Sequence, residues 1–175
     1  MRKLLFHSLI QSPLTEPPPP EGEVAELAAT LVAEARRRLG RSLSIRLIDA
    51  GSCNGCELEI HALSNAFYDI ERFGLRFVAS PRHADILLVT GPVTRNMAEA
   101  LHRTYDAMPS PKWVVAAGTC ASDGGCFAGS YAVLGGVSAV LPVDLHIPGC
   151  PPSPETLLKG LLALIENAGQ GISSP

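Results

Sequence analysis

The chain has 175 residues, 46% apolar and 18% charged, with a net charge of −3 and a pI near 5.9. That describes one globular domain with a full hydrophobic core, without the basic field that a nucleic-acid binder needs. Five cysteines are an odd number, which argues against a disulfide framework and for reduced thiols that bind metal or do redox work.

In chain order, Arg2 and Lys3 precede an apolar-leaning run, 4–10. It is too short for a signal peptide and no small-residue cleavage site follows it. Arg36–Arg38 sits too deep in the chain for a twin-arginine export signal. No stretch approaches the ~18–20 apolar residues of a spanning helix, so the expected compartment is the cytoplasm. Pro13 and Pro17–Pro20 make 11–22 a stiff, extended linker, and the ten residues before it form an apolar arm. Val24, Leu27, Leu31, Ala35 and Leu39 recur at helical spacing over 23–39, and Gly40 ends that helix.

From residue 43 the pattern alternates. Strands are expected at 43–48, 75–79, 85–89, 113–117 and 141–147. A helix is expected at 57–72, another after Thr94 to about 107, and a last one from Ser153-Pro154-Glu155 to about 167. The organisation reads as an arm and Pro-rich linker (1–22), a helix (23–42), an α/β domain (43–168) and a frayed tail (169–175). Short apolar strands alternating with helices predict a doubly wound, flavodoxin-like parallel sheet with helices on both faces.

Four cysteines lie in three motifs: Cys53-Asn54-Gly55-Cys56, Gly118-Thr119-Cys120 and Pro148-Gly149-Cys150-Pro151-Pro152. They follow the first, fourth and fifth predicted strands. In a doubly wound sheet, ligands sit beyond the carboxyl ends of the strands, so the fold gathers these thiols at one edge. Four thiolates are a complete ligand set for one [4Fe–4S] cluster. Two plainer readings compete. A thioredoxin-type dithiol at Cys53 and Cys56 leaves Cys120 and Cys150 unexplained. A structural zinc site usually pairs two CxxC knuckles, and here there is one.

The other candidates each have a plain reading. Cys126, in Asp123-Gly124-Gly125-Cys126-Phe127, reads first as a small buried residue and second as a substitute ligand or oxidisable thiol. His61 reads as a surface or interface residue and His146 as a packed or satisfied one. Glu57 and Glu59 suit the first turn of a helix through its dipole, and either could relay protons at a subunit interface. The glycine pairs do not form a phosphate-loop spacing.

The segment Asp49-Ala50-Gly51-Ser52-Cys53-Asn54-Gly55-Cys56-Glu57-Leu58-Glu59-Ile60 resembles the proximal-cluster motif of the small subunit of membrane-bound [NiFe] hydrogenases, formate hydrogenlyase type. Ser80-Pro81-Arg82-His83-Ala84-Asp85-Ile86-Leu87 resembles a second block of that family, and 141–154 a third. The same superfamily holds the 20 kDa subunit of complex I, which usually has two adjacent cysteines where this chain separates Cys53 from Cys56.

The resemblance implies that Cys53, Cys56, Cys120 and Cys150 ligate one [4Fe–4S] cluster. It also implies that the nickel–iron site belongs to a separate large subunit, so this chain would relay electrons without being catalytic. Expected partners are that large subunit and further iron–sulfur and membrane subunits. Contact with the membrane would be indirect, on the cytoplasmic face of the inner membrane. A complex I-type quinone oxidoreductase subunit is the alternative, with this chain and the large subunit flanking a quinone pocket. A zinc-stabilised scaffold is the alternative of another class.

Overall fold

The computed structural model describes residues 21–168. The N-terminal arm, most of the linker and the tail therefore lie outside the described residues.

The first helix, α1 (Glu21–Leu39), starts two residues before its expected position. It buries Val24, Ala28, Leu31, Val32 and Ala35, the stripe its spacing predicts. Seven strands follow: β1 (Ser44–Asp49), β2 (Arg76–Phe77), β3 (Ile86–Thr90), β4 (Val93–Thr94), β5 (Trp113–Ala117), β6 (Val133–Gly135) and β7 (Leu145–Ile147). The remaining α-helices are α2 (Gly55–Ala62), α3 (Arg95–Ala107), α4 (Thr119–Asp123) and α5 (Pro154–Ala168).

Five strands form one sheet in the order β2-β1-β3-β5-β7, and every pairing in it is parallel. This is the flavodoxin-like order, with its switch point between β1 and β3. Strand β3 is buried along its whole length and shows why the central strands read as continuous apolar runs. Ile86 and Leu88 pack on one face with Ile45, Val115 and Ile147. Leu87 and Val89 pack on the other with Val114 and Ala116.

Helices α1, α2 and α5 cover the first face through residues such as Leu31, Ile60 and Leu161. Helices α3 and α4 cover the second through Leu101 and Ala121. Each fully buried aliphatic side chain contributes about 1.5–3 kcal/mol of transfer free energy. Sequestering both faces this way is what holds the strand ends in register.

Several expectations are corrected. The helix expected at 57–72 ends at Ala62. Asn65 accepts the Phe67 and Tyr68 N–H groups on its side-chain oxygen, and Asp69 takes a left-handed φ of 41°. These local bonds compete with helical ones, and a short 3₁₀ turn at Ile70–Phe73 replaces the last part. The strand expected at 75–79 keeps two paired residues on the sheet edge. The strand expected at 141–147 keeps three, because Asp144 caps β5 by accepting the Val114 N–H. The small antiparallel sheet of β4 and β6 and the five-residue α4 were not expected.

Candidate metal centre

The carboxyl edge of the sheet is built from four strand ends. After β1, Asp49 accepts the N–H groups of Gly51 and Ser52 at 2.7 and 2.6 Å. Ser52 Oγ accepts the Asn54 N–H at 3.0 Å. Asn54, in the left-handed region, is the N-cap of α2. This chain of turns presents Cys53 outside the helix and Cys56 in its first turn.

After β5 the backbone swings directly into α4, which carries Cys120 in its first turn. This loop is stitched to the one after β7. Gly118 N–H donates to the Ile147 carbonyl at 2.8 Å, and Thr119 donates to the Gly149 carbonyl through N–H at 2.8 Å and through Oγ1 at 3.1 Å. Cys150 is thereby held against Cys120.

Ser52, Cys53, Gly55, Cys56, Gly91, Thr119, Cys120, Gly149, Cys150 and Pro151 line one small cavity of about 100 Å³. All four motif cysteines are thus brought to it, from three strand ends far apart in sequence. Gly118 has φ +89°, and a Cβ there would lie 2.7 Å from Cys56 Sγ. The close approach of the two loops depends on that missing side chain. The cysteines are free thiols, with Cys53 and Cys150 exposed and Cys56 and Cys120 half-buried.

Burial and mutual crowding favour the neutral form of the thiols. Burial, then the Glu57 charge, then the thiols of Cys120, Cys150 and Cys53 push the Cys56 thiol up to about 11. Burial, then Cys126, Cys150 and Cys53, raise Cys120 as well. Thiolates packed this closely need positive charge between them. Among the described residues, no three His, Cys, Asp or Glu side chains are grouped to hold a single metal ion. The four cysteines share the lining of one cavity.

The remaining candidates separate. Cys126 is exposed rather than buried and is not among the residues lining the cavity, but it lies against Cys120, to which its backbone hydrogen-bonds. His61 is exposed. His146 is exposed and its Nδ1 meets Ser122 Oγ at 3.2 Å, so it is satisfied without being packed. Glu59 is half-buried. Glu57 is only 5% exposed, and neither carboxylate oxygen has a partner among the described residues. Sequence reasoning did not assign Thr119 to the site. Its place between the glycine and cysteine of its motif was the available signal.

A doubly wound parallel sheet with its thiols at the carboxyl edge is an α/β scaffold of the kind that positions redox groups. The chain belongs to the family of the NADH ubiquinone oxidoreductase 20 kDa subunit, whose pattern matches residues 53–164. It is 44% identical over 146 residues to formate hydrogenlyase subunit 7 of Escherichia coli, covering 82% of this chain and 57% of that protein. It is 43% identical over 141 residues to a probable membrane-bound hydrogenase subunit, mbhJ, of Pyrococcus furiosus (81% and 84%). It is 53% identical over 112 residues to an NADH-quinone oxidoreductase subunit of Clostridium beijerinckii (63% and 66%). A chain in the structure of an archaeal respiratory membrane complex, the membrane-bound sulfane sulfur reductase, superposes with a TM-score of 0.67 at 34% identity. That match covers 82% of this chain and 78% of the other. These relatives are subunits of oxidoreductase complexes. Among the described residues no helix is long and apolar enough to cross a membrane.

Proposed function

We propose that Cys53, Cys56, Cys120 and Cys150 hold one [4Fe–4S] cluster, and that the chain relays electrons within a multisubunit [NiFe]-hydrogenase-type complex. The observation that carries this reading is the convergence of the four cysteines on one cavity. Four cysteines on one cavity suit a polynuclear cluster, which takes one thiolate at each iron. A single zinc ion, which takes its sulfurs at about 2.3 Å, is the competing occupant that metal analysis separates. When bound, the group supplies one-electron chemistry. The chain's own contribution is to fix the thiols and to keep large side chains out of the cavity.

Beside the cavity, Leu58, two residues after Cys56 on α2, is 62% exposed. Such surface near a redox site suits docking of a larger subunit. This supports a large catalytic partner over the cysteine edge. The second reading is a complex I-type subunit passing electrons to quinone. It is favoured by the family itself and by the identity to the clostridial NADH-quinone oxidoreductase subunit.

Isolating the native complex tests the proposal. A large partner with two CxxC pairs supports the hydrogenase reading, and a partner without them supports the quinone reading. A full-length chain that runs as a stable monomer without partners would contradict both.

A further inference from the structure

The edge of the sheet opposite the cysteines carries a second feature. A cavity of about 510 Å³ opens where β1 and β2 begin, lined by Arg41, Ser42, Glu71, Gly74, Arg76 and Phe77. Two of its guanidinium groups are anchored by the core. Arg41 lies 2.5 Å from Oδ1 of Asp85, a fully buried carboxylate whose Oδ2 accepts the Ser44 N–H at 2.9 Å. Arg76 donates Nε to Ser44 Oγ at 3.2 Å, and its terminal nitrogens have no partner among the described residues.

A third guanidinium, that of Arg36, lies close to the lining glycine Gly74 without itself lining the cavity. Gly74 has φ +88°, and a Cβ built there would sit 2.9 Å from Ser42 Oγ and 3.9 Å from Arg36 Nη2. The missing side chain lets Ser42 and Arg36 stand close to the backbone that lines the cavity. Arg36 has no ion-pair partner among the described residues. Against three guanidinium groups stand Glu71 at the rim and Asp85, which is sealed below and already used by Arg41 and Ser44.

We infer that this cavity binds a phosphate-bearing ligand, held by the free N–H groups of Arg36 and Arg76 with Arg41 beside them. Arginine forks match the oxygens of phosphate, and anchored forks lose little freedom on binding. A carboxylate has two oxygens and satisfies one fork, whereas a phosphate presents three oxygens and a larger charge to several forks at once. The Ser42 hydroxyl adds a donor, and Phe77 supplies an apolar wall for whatever carries the phosphate. Glu71 at the rim lowers affinity, so removing its charge strengthens binding. Phosphate binding here is independent of what the cysteines hold.

The test uses the full-length chain with two probes at low salt: inorganic pyrophosphate by calorimetry, and vesicles of phosphatidylglycerol mixed with phosphatidylcholine by sedimentation. Vesicles of phosphatidylcholine alone are the control. Saturable binding with a dissociation constant of about 1 mM or tighter is expected for at least one probe. Arg36→Gln and Arg76→Gln, both at exposed positions, each weaken it about tenfold, equivalent to about 1.4 kcal/mol. Glu71→Gln tightens it. Pyrophosphate binding without phosphatidylglycerol binding assigns a soluble phosphate ligand. Vesicle binding that both arginine variants lose assigns a lipid phosphate. Absence of binding to either probe, or binding that both arginine variants retain at full strength, overturns the inference.

Discussion

Replacing Gly118 with alanine probes the join between the two cysteine loops. Gly118 has φ +89° and ψ 162°, a region populated essentially by glycine, so any side chain there costs about 1–3 kcal/mol of backbone strain. The new Cβ would also lie 2.7 Å from Cys56 Sγ and 3.3 Å from the Gly149 carbonyl. Relieving that overlap costs about another 1–3 kcal/mol. The sum, about 2–6 kcal/mol, is a large part of a typical stability of about 5–15 kcal/mol. For a domain of this size it lowers the melting temperature by roughly 5–20 °C. Gly129→Ala is the matched control, because Gly129 also has a positive φ of +80° but nothing within 4 Å of its would-be Cβ. The control carries a positive φ without the clash. The assay is thermal unfolding of both variants, followed by anaerobic iron loading of each at a temperature where it is folded. Gly118→Ala is expected to melt below Gly129→Ala and to load less iron, since the sulfur it displaces belongs to Cys56. Equal melting and equal iron in the two variants would refute the reasoning.

Three further outcomes are expected. Cys120→Ser or Cys150→Ser loses or degrades the iron–sulfur chromophore while Cys126→Ser keeps it, since Cys126 does not line the cavity; visible absorbance of anaerobic preparations checks this. In the metal-free chain, alkylation of Cys56 measured by peptide mass spectrometry is slow at pH 8 and climbs steeply toward pH 11. Its raised pKa of about 11 leaves on the order of one thiol in a thousand ionised at pH 8. Asp85→Ala destabilises the chain in urea titration by about 1–3 kcal/mol, because the buried Ser44 N–H loses its acceptor.

The fold was legible where burial is complete. Strand β3 is buried throughout and β5 everywhere but Trp113, so 86–89 and 113–117 are continuous apolar runs; β1 buries Ser44, Ile45 and Ile48 around a half-buried Arg46 and showed itself by its aliphatic residues alone. Their parallel order followed from the helices between them, and the cysteine edge followed from that order. Elements set by non-local or side-chain bonds were not legible. Strands β4 and β6 are two and three residues long and exist through each other. Helix α4 is too short to show a period. Helix α2 stops where Asn65 and Asp69 take over the local hydrogen bonding, and those two residues were the signal that 57–72 is not one helix. At the site, the cysteines announced themselves by motif. The burial of Glu57 did not, because an acid in a first helical turn ordinarily faces water.

The most direct measurement is combined iron, acid-labile sulfide and zinc analysis of the anaerobically purified chain, with EPR after reduction. The account predicts about four irons and four sulfides per chain, and a signal from one reduced cluster that Cys120→Ser removes. Stoichiometric zinc with no sulfide and no EPR signal would contradict it.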